Sequence, residues 1–378
     1  MTDAVASADA PKKRPADNDC DVPAAPKRPA VNGAAAAPSA SHASSTPAIG
    51  VSTTSSQHSD SPLPLPHCKP PGSISIPNDT ATIRLSAVVS EDKGARAVME
   101  DVAVILLDAR PDPVASLPGV RLSFVGVFDG HGGTDCVQAA ANSLHSNTLA
   151  AGLTQVARTC CVEGGKAGSR MDVKAAKQAI MEGFRLTDEA LLASCQARGW
   201  QDGACAVTAW VLGDTALVAN VGDAKAVLAR TADKAGPGFA AGSLRGLLLS
   251  KDHLALHPAE RARIEKAGGQ VTKDGRLAGR LQVSRSFGDL AVKKLGCSSA
   301  PDIAGFQLTR RDKFLLMACD GFWGVFDAQG AVDMASALLE EGREPKAVTN
   351  RLLNEAIRVR GCKDNCTVLL LVFHHAPA

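Results

Sequence analysis

Tyrosine is absent from this sequence and aromatic residues make up only 3% of it, so its 45% hydrophobic content is almost wholly aliphatic. No uninterrupted apolar run approaches the roughly 20 residues of a membrane-spanning helix, and no membrane partner is expected. Charge of one sign is also lacking: 41 basic and 39 acidic side chains leave a formal net charge of +2. That balance gives the whole chain no bias towards nucleic acid or an anionic surface. Met1-Thr2-Asp3 offers neither an apolar signal core nor a glycine at the second position, so neither secretion nor myristoylation is expected. The 11 cysteines are odd in number and irregularly spaced, which speaks against a disulfide framework. Cys205, Cys319 and Cys366 fall inside apolar runs and read as reduced, buried thiols of a cytoplasmic or nuclear protein. Cys362, Cys366, His374 and His375 are zinc-ligand types, but Cys366 stands where a strand needs a small apolar residue, and no zinc site is expected.

What is present divides the 378 residues in two. Residues 1–80 are dominated by Ala, Pro, Ser and Thr without apolar periodicity, a composition that cannot offset its conformational entropy and reads as disordered. Within it Lys12-Lys13-Arg14 and Lys27-Arg28 are spaced like a bipartite nuclear import signal; the plain alternative is chance basic pairs in a polar tail. Order is expected from Ile83, with a single domain over 83–375.

The stretch around which that domain is organised is Leu122 to Gly133, LSFVGVFDGHGG. Its apolar run reads as a buried strand that stops at Asp129, holding one carboxylate at a sheet edge before a glycine turn. Other runs deliver acids in the same way. Glu100 and Asp101 precede Ala103 to Leu107; Lys313 to Cys319 runs into Asp320; Asp364-Asn365 precedes Cys366 to Phe373. Such a gathering of carboxylates needs a cation to be tolerable. Helical spacing follows Gly133 (Val137, Ala140, Ala141, Leu144) and covers Val173 to Ala197, Pro258 to Ala267, Ala328 to Glu341 and Lys346 to Val359. Gly152 to Gly168 reads as a surface insertion. Ala206 to Leu212, Ala216 to Val221 and Lys225 to Ala229, joined by Gly-Asp turns, read as a meander, with Leu247 to Leu249 a further short strand. Runs of strands alternating with paired helices, without a βαβ rhythm, indicate an α+β fold with antiparallel sheets.

Arg96-x-x-Met-Glu-Asp101, Phe128-Asp-Gly-His-Gly-Gly133, Val221-Gly-Asp223, Ser284-Arg-Ser-Phe-Gly-Asp289, Ala318-Cys-Asp-Gly321 and Asp364-Asn365 occur in this order. Together they resemble the metal-dependent serine/threonine protein phosphatases of the 2C type, over Ile83 to Phe373, and look most similar to the integrin-linked kinase-associated branch. The resemblance implies a four-layer sandwich of two mostly antiparallel sheets flanked by pairs of helices. It also implies a hydrolase of phosphoserine and phosphothreonine in signalling, acting as a monomer on phosphorylated proteins. Two Mg²⁺ or Mn²⁺ ions per domain are implied, with attack by a water or hydroxide that bridges them. Carried over residue by residue, Asp129 bridges, the Gly130 carbonyl holds one ion, and Asp320 and Asp364 hold the other. Glu100 and Asp101 act through water, Arg96 grips phosphate, and His131 protonates the leaving oxygen. Asp289 is expected to support the site; His253 and His257 are read as structural.

The sequence departs from that pattern at two places. Gly324 stands where many relatives carry a further aspartate, so a third ion near Asp223 is doubtful. Cys205 replaces a threonine and is read as packing. A cysteine-dependent phosphatase is excluded, since no Cys is followed six places later by Arg, and no Lys-Ser/Thr follows the GHGG glycines as a nucleotide loop requires. The competing class is a non-catalytic binding module on the same fold, which should have lost its metal acids; here the set is intact.

Overall fold

Apolar runs without alternation fold here as strands buried on both faces. The computed structural model describes residues 83–110, 121–159, 171–236 and 239–376. The tail 1–80 with its basic clusters, the Pro111 to Gly119 loop and part of the Gly152 to Gly168 stretch lie outside the described residues.

The strands are β1 (Ile83–Asp92), β2 (Val102–Leu106), β3 (Leu122–His131), β4 (Gly203–Leu212), β5 (Thr215–Val221) and β6 (Lys225–Thr231). They continue as β7 (Leu244–Leu248), β8 (Phe287–Gly288), β9 (Asp302–Gln307), β10 (Asp312–Ala318) and β11 (Cys366–His375). One sheet has the order β1-β11-β10-β6-β7, the other β2-β3-β4-β5-β9 with β8 on β4, and every pairing is antiparallel. The helices are α1 (Asp135–Thr148), α2 (Thr154–Thr159), α3 (Val173–Arg198), α4 (Pro258–Lys266), α5 (Leu290–Lys293), α6 (Asp320–Trp323), α7 (Ala328–Glu340) and α8 (Pro345–Asn354).

The two-residue period of each strand sorts its side chains into different cores. On β3, Leu122, Phe124 and Phe128 pack with Val137 and Leu144 of α1 and Ile180 and Phe184 of α3. Val125 and Val127 point the other way, meeting Leu315 and Met317 of β10 and Leu369 and Leu371 of β11 between the sheets. The opposite faces of β10 and β11, with Phe314, Leu316 and Leu370, pack on Val332 of α7 and on Val348 and Leu352 of α8. The layers are therefore helices, sheet, sheet, helices, the α+β sandwich expected. Each such fully buried large apolar side chain contributes about 1.5–3 kcal/mol.

Several expected bounds are corrected. β3 does not stop at Asp129; Gly130 and His131 remain paired to Ala204 and Gly203, and the turn comes at Gly132 and Gly133. The expected meander is split: β4 pairs with β5, but β6 belongs to the other sheet, between β10 and β7. Gly222, at φ 87°, turns the chain from one sheet to the other. The start of the expected insertion is helical, with Val156 and Ala157 of α2 buried. β9 was not anticipated, because DIAGFQ has no apolar run and only half-buried or exposed side chains.

Candidate active site

The strand ends converge on one edge of the sandwich. β3 brings Asp129, β10 runs into Asp320 at the start of α6, and Asp364-Asn365 lead into β11. The β5–β6 crossover brings Asp223, and the β1–β2 loop brings Arg96 and Glu100. These line one cavity of about 340 Å³ together with His131. Gly130 is required by close approach, since a Cβ there would lie 2.4 Å from the Glu100 carbonyl oxygen. The backbone N–H of Asp320 donates to Asp129 Oδ2 at 3.2 Å. Asn365 ties the loop in place: its Oδ1 accepts from the Glu100 N–H at 2.7 Å, and its Nδ2 donates to Lys93 and Val98 carbonyls, each at 3.0 Å.

Carboxyl oxygens of Asp129, Asp223 and Asp320 lie within 4.8 Å of one another, as do those of Asp101 and Asp129 with Cys319 Sγ. Burial, then Asp320, Asp101 and Asp223, push the Asp129 carboxyl well above the ordinary range. Burial and Asp320 raise Asp223 to about 6. Asp101 is also pushed to about 6, chiefly by burial, although Thr367 Oγ1 donates to it at 2.7 Å. Burial and Asp364 raise Asp320. Four aspartates that resist ionising together are what a hard divalent cation would relieve, and the Asp129, Asp223 and Asp320 group is oxygen throughout, so the residues present fit Mg²⁺ or Mn²⁺.

The structure brings Asp129, Gly130, Asp320, Asp364, Glu100, Arg96 and His131 to the cavity, while Asp101 lies buried beside Asp129. Arg96 does not stand free: its Nη2 donates to Asp364 Oδ2 at 2.6 Å. His131 Nε2 lies 2.8 Å from Asp289 Oδ2, which also accepts from Ser286 Oγ at 2.5 Å. Burial pulls the His131 pKa down, but Asp289 and the nearby Asp223 and Glu100 bring it above that of an ordinary imidazole. The loop carrying Asp289 is anchored on α3, where buried Asp188 accepts from the Gly288 N–H at 3.0 Å.

Cys205 faces the site as well as packing, with Sγ 3.6 Å from Asp223 Oδ1. His253 is buried behind the crossover, and its Nδ1 accepts from the Gly222 N–H at 3.2 Å. Burial and Arg285 lower its pKa to about 4, which keeps it neutral. His257 Nδ1 donates to the Asp252 carbonyl at 3.0 Å. Gly324 ends α6, its N–H donating to the Asp320 carbonyl at 2.7 Å, and offers no carboxylate. Cys366 and His375 stand at opposite ends of β11, so the four zinc-type residues are not assembled.

Sequence reading treated Asp223 only as a third-ion residue; here it sits among the main acids. Arg276 and Arg280, on the cavity wall, were missed altogether. Their signal was two arginines four apart in DGRLAGR, just before the SRSFGD motif.

A carboxylate basin at a sandwich edge, with an arginine and a histidine on its walls, defines a metal-dependent phosphoester hydrolase. The protein phosphatase 2C family model matches residues 86–366. The chain belongs to the protein phosphatase 2C family, metal-dependent serine/threonine protein phosphatases. It is 47% identical over 293 residues to the Arabidopsis thaliana protein described as "Probable protein phosphatase 2C 8", covering 76% of this chain and 79% of that one. To the integrin-linked kinase-associated serine/threonine phosphatase 2C of Bos taurus it is 38% identical over 304 residues, 76% of each chain. In fold it is similar to the serine-threonine phosphatase 2C from Toxoplasma gondii, with a TM-score of 0.66 at 23% identity, over 79% of this chain and 98% of that one.

Proposed function

We propose that this edge hydrolyses phosphoserine and phosphothreonine in proteins, with Asp129, the Gly130 carbonyl, Asp320 and Asp364 holding two Mg²⁺ or Mn²⁺ ions. When bound, such ions supply an activated water and neutralise phosphate charge. Asp129 belongs to both groups of close-lying donors and would serve both ions. Glu100 and Asp101 support the set through water. Asp223 joins the same basin, and with Gly324 in place of an aspartate the reading needs no third ion. Arg96 presents a planar fork of donors beside Asp364 and binds the phosphoryl oxygens. Asp289 holds the His131 ring at Nε2, and the imidazolium donates the proton of its other nitrogen, Nδ1, to the departing serine or threonine oxygen.

The observation that carries the reading is the approach of Asp129, Asp223 and Asp320 to within 4.8 Å. The test is release of phosphate from a phosphothreonine peptide with and without Mn²⁺. Metal-dependent release is expected; binding of the peptide without turnover would favour the non-catalytic module.

We further read the protein as a monomer that meets phosphorylated proteins in the cytoplasm or nucleus, without nucleic-acid or membrane partners. The near-zero net charge of +2 supports the lack of nucleic-acid and membrane partners. Among the described residues no helix is long and apolar enough to cross a membrane. Residues 1–80 are assigned as a tail, with Lys12 to Arg28 serving nuclear import, and 83–375 as the catalytic domain.

A further inference from the structure

Arg276 and Arg280 reach the cavity from a loop built independently of the sheet edges. Leu277, fully buried with Ala255, Ile264, Val292 and Cys297, pins the loop to a small separate core. Around it the backbone is tied at every step. The Leu277 N–H donates to the Leu281 carbonyl at 2.7 Å, the Ala278 N–H to Gln270 at 2.9 Å, and the Thr272 N–H to Arg276 at 2.9 Å. Ala278 and Gly279 both hold positive φ, 51° and 70°, and so turn the chain sharply just before Arg280. A non-glycine residue in that region costs about 1 kcal/mol or more and persists only where its surroundings fix it.

The two arginines differ in what they do. Arg276 braces the loop: Nη1 donates to the Arg280 carbonyl at 2.9 Å and Nε lies 3.5 Å from Asp274 Oδ2. Arg280 is exposed on the cavity wall, and among the described residues its guanidinium has no carboxylate partner. A fixed turn thus holds an exposed guanidinium, free of any carboxylate partner among the described residues, on the same cavity lining as the acids and Arg96. Arg280 shares that lining, so it faces a peptide whose phosphate enters there.

On the phosphatase reading above, we infer that Arg280 is a specificity-determining residue that reads an anionic side chain one or two positions from the phosphorylated residue of the substrate. The chemistry is a carboxylate or a second phosphate accepting from the guanidinium fork. A partly exposed pair of this kind gives roughly five-fold discrimination, weakened by salt.

The test uses the full chain with Mn²⁺ and phosphothreonine peptides differing only in the flanking residues: Asp, phosphoserine, Ala or Lys. Asp-flanked peptide is expected to exceed Ala-flanked in kcat/KM by roughly five-fold, mostly through KM, and Lys-flanked to fall below both. The phosphoserine arm shows whether a second phosphate is read as well as a carboxylate. Arg280→Gln should bring the Asp-to-Ala ratio near one, and Arg280→Glu should make Lys-flanked peptide the better substrate. A wild-type ratio of one among peptides that are hydrolysed overturns the inference. So does an Arg280→Gln loss of equal factor on Asp-flanked peptide, Ala-flanked peptide and 4-nitrophenyl phosphate, since the last has no flank and the residue would then act on the phosphoryl group or the fold. Failure to hydrolyse any of the peptides with metal would instead remove the phosphatase reading, and this inference with it.

Discussion

His131 and Asp289, 158 residues apart in the chain, meet with Nε2 and Oδ2 at 2.8 Å. The contact joins the end of β3 to the loop after β8, and Ser286 holds the carboxylate from its other side. It gives the proposed acid a fixed orientation.

If His131 protonates the leaving group, His131→Gln should lower kcat on a phosphoserine peptide by about 10²–10³-fold. Asp289→Asn should cost about 10-fold, because it weakens orientation and leaves the donor in place. Both losses should be far smaller on 4-nitrophenyl phosphate, whose leaving group hardly needs a proton. Equal losses on the two substrates would contradict the assignment.

Asp129 is crowded by Asp320, Asp101 and Asp223, so its charge opposes folding unless a cation is bound. Asp129→Asn should therefore raise the melting temperature of metal-free protein by a few degrees, an effect of about 1 kcal/mol. The same change should abolish the upward shift that Mn²⁺ gives the wild type. A variant that melts lower without metal, yet is still stabilised by Mn²⁺, would show that Asp129 is not a ligand.

Glu260 on α4 anchors a second set of charges away from the acids. Its Oε2 accepts from Ser284 Oγ at 2.6 Å and Arg263 Nη2 at 2.8 Å, and its Oε1 from Arg285 Nη2 at 2.6 Å. Burial opposes its charge, but Arg285, Arg263 and Ser284 outweigh burial and hold the carboxyl well below the usual range. A depressed pKa contributes stability that is full above the unfolded value and fades as pH falls below it. Glu260→Gln should cost about 2–3 kcal/mol at pH 7. By urea denaturation, the gap between wild type and variant should narrow from about pH 5 to pH 3. A gap that stays constant over that range would contradict the account.

The proposed import role of the tail is tested by neutralising Lys12, Lys13, Arg14, Lys27 and Arg28 together. In a tagged protein too large to diffuse through the nuclear pore, the nuclear-to-cytosolic ratio should drop, with a partial drop when one cluster alone is altered. An unchanged ratio in the five-site variant removes the import role.

The sandwich was legible where apolar runs were bounded by acids. β3, β10 and β11 are buried on both faces, so their residue types announce strands, and the acid beside one end of each run marks the edge. The same two-sided burial hid which sheet a strand joins. β5 and β6 look like neighbours in sequence, and only the turn at Gly222 parts them. The reading of the acids as a group followed from their position at strand ends. Contacts closed by tertiary structure were not legible: Arg96 on Asp364, Asn365 on the Glu100 loop, and Asp223 among Asp129 and Asp320. Each joins residues that no local pattern relates. Arg280 escaped notice because an exposed arginine in a loop is ordinary until the fold places it on the cavity wall.

The most direct measurement of the central claim follows phosphate release from a phosphothreonine peptide by wild type and Asp129→Ala, after exhaustive chelation and then during titration with Mn²⁺ or Mg²⁺. The account predicts that chelated wild type is inactive, that activity returns with either ion, and that Asp129→Ala stays roughly 10³-fold lower at saturating metal. Full activity in thoroughly chelated wild type, or recovery of Asp129→Ala to the wild-type rate at saturating metal, would contradict it.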